Sequence, residues 1–392
     1  MTAAAPRGIA IVSGILFWYP LAGVTYQFLH YLIGLRRLGF QVFYIEDSGR
    51  WLYDPAKRAI TGDPRTNIAR IEHALRAHGF ADAWAFRGAY PGGECFGMPY
   101  ERVRQLYRDA DVLLNVTGAQ ELREEHMQIK RRLYIETDPF ALQVKLHQGD
   151  SLLRANLDAH DTCFTFGEKI GHTDCLAPVD RTWLPTRQPV ALDLWTTPSA
   201  SVTRSARYRT ITTWHNEGKT VSFQGETYHW TKDREFLALQ DLPARRPQQQ
   251  FELASDPDAS SRAHLQAHGF AVSDALSISG ELPSYRAFIA DSRAELTVAR
   301  DQYVRPNTGW FSDRSACYLA AGRPVITQHT GFDQHIPVGQ GLFAFRSLDD
   351  IAAAIDSIES DYALHSAAAR ELAHEYFAAD KVLTQLLARA GL

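Results

Sequence analysis

At 392 residues the chain exceeds what one ordinary hydrophobic core accommodates, so two domains are expected. With 45% hydrophobic and 22% charged residues it is not an intrinsically disordered chain. A net charge of -4 excludes bulk attraction to nucleic acid or an anionic membrane, so any bound anion must be held by a local site.

The chain opens on an apolar run after Arg7 that loosely mimics a secretion signal. Ser13, Gly14 and Pro20 break it, and residues 9–14 read instead as a buried parallel strand. Residues 23–39 have helical apolar spacing and stop at Gly39. A second strand, 40–47, ends in two acids. Further strands are expected near 111–118 and 131–139, with helices near 65–78, 100–108 and 139–147, and a later strand and turn over 161–171. Such alternation implies a parallel α/β sheet.

Around 185–208 the chain becomes rich in Pro, Ser and Thr, as a crossover between domains would be. The alternation then restarts. Strands are expected over 207–216, 292–300 and 323–331, helices over 232–242, 259–269 and 312–322, and two last helices near 347–359 and 361–377. Two such halves make a cleft, with ligands at the carboxyl ends of the strands. The four cysteines (Cys95, Cys163, Cys175 and Cys317) show no C-x-x-C spacing, so a reduced, cytoplasmic protein without a disulfide or zinc framework is expected. No stretch is long and apolar enough to span a membrane.

The segment NTGWFSDRSACYLAAGRPVI (307–326) concentrates polar chemistry at one helix start. Ser312 suits the N-cap, Asp313 the first turn, and Gly322 the stop. Free backbone N–H groups and the helix dipole make such an end a phosphate site, to which Arg314 would add a charge-assisted bond. An ordinary capped helix with a surface Arg is the alternative, and the Asn-Thr-Gly-Trp run ahead of it favours the ligand site.

This segment resembles the donor-binding region of GT-B glycosyltransferases, through Gly309, Trp310 and Ser312, then Gly322, Pro324 and Val325, then Thr330, Gly331 and Phe332. The resemblance implies an α/β chain of two Rossmann-like α/β/α domains facing a cleft. It implies an acceptor-binding domain over 1–190, a linker over 191–208, a nucleotide-sugar domain over 209–375, and a C-terminal helix over 376–392 returning to the first domain. It places Asn307, Thr308, Gly309, Ser312, Asp313 and Arg314 near the diphosphate. Thr330, Gly331 and Phe332 would lie near the sugar, with Asp333 and Gln334 on its hydroxyls. The sequence departs from the family where paired glutamates are usual, at Gly309 and Cys317, and where one inverting group has His, at Asn307. The likeness is specific over about 205–392 and only architectural before that.

Other residues fill out the expected site. Lys232 stands at the first turn of a helix capped by Thr231, where a cation opposes the dipole unless an anion is bound. It is expected to join Arg314 on the diphosphate. Trp214 and His215 end the strand that opens the second half and either line the donor site or pack in the core. The stretch 281–296 resembles the family's base-binding region, with Tyr285 to stack on the base and Glu295 near the site. In the first half, Gly23, Val24 and Thr25 start a helix on the acceptor side, and His30 inside it reads as structural. Asp138, before Pro139 at a strand's carboxyl end, is the candidate base for an inverting reaction, with Glu136 behind it. Asp47 ends its strand similarly on weaker grounds. Asp109 and Asp111 precede their strand, Asp256 and Asp258 lie in a loop, and no metal site is expected. No P-loop and no G-x-G-x-x-G follows the first strand.

The expected activity is transfer of a sugar from a nucleoside-diphosphate sugar to a hydroxyl of a small-molecule, glycan or lipid-linked acceptor. It would need no metal or other cofactor and no nucleic acid. The helix start, Arg314 and Lys232 would stabilise the leaving diphosphate, and Arg314→Ala would lower turnover without unfolding the chain. A nucleotide-sugar epimerase of the same fold and a non-catalytic binding subunit are the other readings.

Overall fold

The structure is a computed structural model that describes residues 7–88, 93–196 and 206–392. The expected linker over 191–208 therefore lies partly outside the described residues. The first half gives β1 (Gly8–Ser13), β2 (Phe40–Glu46), a hairpin of β3 (Leu52–Asp54) and β4 (Ala59–Thr61), β5 (Trp84–Arg87) and β6 (Cys95–Gly97). It continues with β7 (Val112–Val116), β8 (Arg132–Glu136), β9 (Thr162–Thr165) and β10 (Leu184–Pro185). The second half gives β11 (Arg207–Ile211), a hairpin of β12 (Val221–Phe223) and β13 (Glu226–Tyr228), β14 (Gln250–Ser255), β15 (Phe270–Asp274), β16 (Ala294–Thr297), β17 (Val325–Gln328) and β18 (Leu342–Phe345).

These strands form two main sheets. The first runs β10-β9-β8-β7-β1-β2-β5-β6 and is parallel except for the β5–β6 pair. The second runs β15-β14-β11-β16-β17-β18 and is parallel throughout. The central strands β1, β7 and β16 are mostly buried on both faces because helices cover both, and β1 reads as an apolar run for that reason. Chain direction across the sheet reverses between β1 and β7 in one lobe and between β11 and β16 in the other. At such reversals, loops on the two sides of the sheet diverge and leave a crevice.

The expected helix over 232–242 splits into Asp233–Leu237 and Leu242–Arg245, with Pro243 opening the second piece. Strands β14, β15 and β18 were not anticipated. In β14 the polar Glu252 interrupts the apolar run, yet it is buried, and Arg209 answers its charge at 2.9 Å. A further helix, Ala379–Arg389, follows the two expected last helices and packs on the Ala22–Arg37 helix of the first lobe. The approach is so close that a Cβ on Gly34 would lie 2.5 Å from Leu383.

One apolar core crosses the seam between lobes. It includes Tyr26 and Phe28 of the first lobe with Tyr285, Phe311 and Phe332 of the second. The second lobe also lends a hairpin to the first, which reaches back with an ion pair. The β12–β13 hairpin turns at Gln224 and Gly225, both left-handed as a two-residue turn requires. Its Val221, Phe223 and Tyr228 complete a core built on first-lobe residues Tyr134, Phe140 and Val144. From the other side, Arg58 at the β3–β4 turn reaches Asp274 at 2.6 Å. No helix among the described residues is long and apolar enough to cross a membrane.

Candidate functional site

The reversal point of the second sheet is occupied by Arg314. Its Nε donates to Glu295 Oε1 at 2.6 Å, Nη1 to the Ile211 carbonyl at 2.9 Å, and Nη2 to Thr297 Oγ1 at 2.8 Å. Burial acts to lower the Arg314 pKa, but the Glu295 carboxylate outweighs it and the group stays firmly charged. The guanidinium thus ties β11 to β16 beneath the Asp313–Ala320 helix. The expectation puts Arg314 on the diphosphate; in this structure three of its five N–H donors are engaged within the second lobe. Ser312 sits at the N-cap, but its hydroxyl makes no capping bond. Burial raises the pKa of the neighbouring Asp313, with Arg314 pulling the other way.

Lys232 presents a different case. It occupies the N-cap of the Asp233–Leu237 helix, where Thr231 had been expected, and is 4% exposed. Thr231 instead donates to Asp233 Oδ1 at 2.7 Å. Lys232 Nζ donates to Thr212 Oγ1 at 3.1 Å, a neutral hydroxyl just past β11, and it has no ion pair among the described residues. Burial, then the charges of Arg314 and Arg300, push its pKa well down. A buried amine short of a counter-charge is a site an anion would complete, since the anion restores the charged form.

Arg300, which the sequence reading passed over, belongs to the same cluster. It follows β16, lies 3.7 Å over the Trp230 ring and donates from Nε to the Trp230 carbonyl at 2.8 Å. Its signal was positional: a cation just beyond a strand that borders the reversal point.

Across the seam stands Asp138. Tyr303 Oη donates to Oδ1 at 2.7 Å and Lys219 Nζ to Oδ2 at 2.9 Å, so a first-lobe acid is held by two second-lobe groups. Burial acts to raise its pKa, but Lys219 and Arg300 prevail and bring it down to about 2. So weak a base is poorly suited to taking an acceptor proton at neutral pH. Glu136 behind it is buried, accepting at Oε2 from Gln143 and Thr165, both at 2.7 Å, while Oε1 has no partner. Burial pushes this carboxyl up to about 8.

The loops expected on diphosphate and sugar are packed against the first lobe. Lys169 N donates to the Thr308 carbonyl at 3.0 Å, Leu176 N to that of Pro306 at 2.9 Å, and Asn307 Nδ2 to that of Asp174 at 3.1 Å. The Lys169 side chain is fully buried and pairs with Asp174. A Cβ on Gly309 would lie 2.9 Å from Lys169 Cγ, and one on Gly331 2.7 Å from Lys169 Cδ. Glycine in these two loops lets the Lys169 stem approach closely, and at Gly331 the Asn307 side chain as well. Thr330 Oγ1 closes on the Trp310 carbonyl at 2.5 Å, and Phe332 packs on Phe311. Asp333 pairs with His329 at 2.9 Å, and Gln334 lies 3.4 Å from Asp174.

Trp214 packs in the second lobe's own core beside Phe236, while His215 is exposed and pairs with Asp233. Tyr285 is buried against Tyr26 and Trp195, with no open face for a base. Gly23 abuts the Tyr285 hydroxyl, Val24 is half-buried, and Thr25 bonds back to Leu21 within its turn. Gly23, Tyr26, His30, Tyr285, Arg314 and Cys317 line a seam cavity of about 10 Å³, the room of a single water. His30 is structural: Ala191 N donates to its Nδ1, and burial lowers its pKa to about 3.

The acids weighed as metal ligands have other tasks. Asp111 accepts from Ile9 N and pairs with Lys130, both at 2.7 Å. Asp256 accepts from Trp214 N, and Asp258 caps the Ala259–Ala267 helix. Asp47, Glu125 and His126 stand close enough together for a metal, but Arg123 and Arg87 already pair with Asp47.

No protein-family model matches the chain, and no curated protein matches it by sequence. Solved structures do match over nearly their whole length. An α-glucosyltransferase in complex with UDP superposes with a TM-score of 0.61 at 11% identity, covering 98% of this chain and 100% of that one. Anabaena HepE in complex with UDP and glucose gives 0.57 at 12%, covering 97% and 99%. Sucrose-phosphate synthase from Thermosynechococcus elongatus gives 0.54 at 13%, covering 97% and 98%. Two Rossmann-like sheets, each reversing at a crevice that opens toward the other, together with these full-length superpositions, give the chain the GT-B fold.

Proposed function

We propose that the protein is a glycosyltransferase that takes a sugar from a nucleoside-diphosphate sugar. The observation that carries this reading is Lys232, a buried amine beside β11 whose hydrogen bond among the described residues goes to a neutral hydroxyl. Arg300 and Arg314 stand near it and press it toward the neutral form, with Glu295 and Asp313 opposing them. A bound diphosphate would favour the charged form. The solved structures of this fold that were determined with UDP or UDP-glucose support a nucleotide sugar as the ligand class.

In this reading Lys232 and Arg300 take the leaving diphosphate's charge without requiring a metal, and Arg314 holds the strand ends that position them. The seam must part to admit a donor, because the cavity beside Arg314 holds no more than a water. The weak basicity of Asp138 argues against its acting as the acceptor's base and for a role in holding the lobes together. The acceptor is a small molecule, a glycan or a lipid-linked hydroxyl, as the net charge of -4 disfavours a nucleic-acid surface.

The test is a thermal-shift series with UDP, GDP, ADP and dTDP and their sugars, on the native chain and on Lys232→Met. A ligand at one hundred times its Kd adds about 2.7 kcal/mol. One nucleotide series is expected to raise Tm in the native chain and to fail in Lys232→Met. An equal rise in both would remove Lys232 from the site. Incubation with donor alone, analysed for an epimer, separates transfer from epimerisation.

A further inference from the structure

A second space lies at the cleft end of the first lobe, away from the cation cluster. It is a pocket of about 200 Å³ at the carboxyl ends of β2 and β5, roofed by the β3–β4 hairpin. Trp51, Phe86 and Phe96 make its apolar walls, Arg50 and Glu94 its polar rim, and Gly62 its floor. Trp51 is 59% exposed, an unusual outlay for so large a ring, and is the most exposed aromatic among the described residues. A Cβ on Gly62 would lie 2.9 Å from the Trp51 ring, so the glycine lets the indole lie flat on the chain.

The wall is built before any ligand arrives. Glu46, buried beneath it, accepts from the backbone N–H groups of Phe17 and Trp18 at 2.8 and 2.9 Å. Asn67, fully buried, donates to the carbonyls of Phe17 and Tyr53 at 2.8 and 2.9 Å. Tyr53 N in turn bonds the Trp18 carbonyl at 2.9 Å. Arg50 lies over the Trp18 ring at 5.1 Å and is loosely held by Glu121 at 3.4 Å. The hairpin is thereby pinned to the loop after β1, and the indole is carried on a fixed frame.

The chemistry of the lining selects its ligand. Among the described residues one cation and one acid line it, which disfavours a phosphate or a polycation. A flat aromatic face beside a carboxylate and a guanidinium suits a ring with apolar C–H faces and hydroxyl edges. The volume suits one such ring. Asp138 follows β8, three strand positions from β2, which is about 14 Å at the usual spacing between strands. A ring in this pocket is therefore not the one that reacts at the seam.

We propose that this pocket is a remote subsite for a neutral glycan acceptor of several rings, one ring resting on Trp51 while another reaches the seam. The proposal rests on the transferase reading for the word acceptor, but its binding test does not. Calorimetric and tryptophan-fluorescence titrations of the full chain would use maltotriose, cellotriose and chitotriose as neutral probes, with glucose 6-phosphate as the charged control. At least one neutral trisaccharide is expected to bind. Trp51→Ala should weaken it about tenfold or more, while Trp51→Phe keeps most of the affinity. Lys232→Met should leave glycan binding unchanged, and Trp51→Ala should leave the nucleotide-induced Tm shift unchanged. Failure of all three trisaccharides to bind, equal binding by Trp51→Ala, or tighter binding of the phosphorylated sugar would overturn the subsite. Loss of the nucleotide response alone would strike the transferase reading and leave the glycan pocket standing.

Discussion

The Arg314 guanidinium lies 2.6 Å from the Glu295 carboxylate, and Glu295 is completely buried. Neither group has bulk water to fall back on, so each depends on the other. Truncating one partner of such a pair leaves an uncompensated buried charge, at a cost of about 3–5 kcal/mol. Arg314→Ala should therefore lower stability by that order in a urea or heat melt, contrary to the expectation that it would act on turnover alone. The double variant Arg314→Ala with Glu295→Ala should recover part of the loss. If the single variant melts as the native chain does, the pair is not the brace described.

Glu136 sets a slope in the pH dependence of stability. Its folded pKa, about 8, stands above the ordinary carboxylate value of 4.5, so the folded chain holds a proton that the unfolded chain has released. The stabilisation is complete below about pH 4.5 and is lost as pH rises toward 8, at about 1.4 kcal/mol per unit at most. Glu46, raised to about 7 mainly by burial, contributes in the same direction. Glu136→Gln removes this dependence, so the native-minus-variant stability should fall steadily from pH 5 to pH 8. Urea melts at pH 5, 6.5 and 8 would show it, and a difference that does not vary with pH would contradict it.

Tyr303 and Lys219 hold Asp138 across the seam. Hydrogen bonds to a charged group are worth about 1.5–3 kcal/mol, so Tyr303→Phe weakens the closed arrangement directly. Small-angle scattering of Tyr303→Phe with Lys219→Met should give a larger radius of gyration than the native chain in the absence of ligand. Identical profiles would mean that the apolar seam alone keeps the lobes shut.

Much of the architecture was legible because buried parallel strands announce themselves. Ile9 to Val12 and Val112 to Val116 carry apolar residues on both faces, and the helices between them show their period. Strand β14 was hidden because Glu252 looks like a surface acid until Arg207 and Arg209 are brought beside it by pairing with β11. The candidate site was legible by region and not by contact. Asp138 is held across the seam and Lys232 lies beside β11, but no local pattern shows that Arg314 is engaged by Glu295, nineteen residues earlier. The resemblance puts Gly309 near the diphosphate and Gly331 near the sugar, and only tertiary packing reveals the stem of Lys169 beside both. Arg300 had no motif, since its position depends on which strands flank the reversal.

The hairpin lent by the second lobe and the core shared across the seam make the first lobe dependent on the second. Separated from residues 221–228, the first lobe would present the ring of Phe140 and its neighbours bare to water, and the arm itself would have nothing to shelter Phe223 and Tyr228. Cleaving the chain between the two sheets should thus leave fragments that remain associated, and a lobe produced by itself should aggregate.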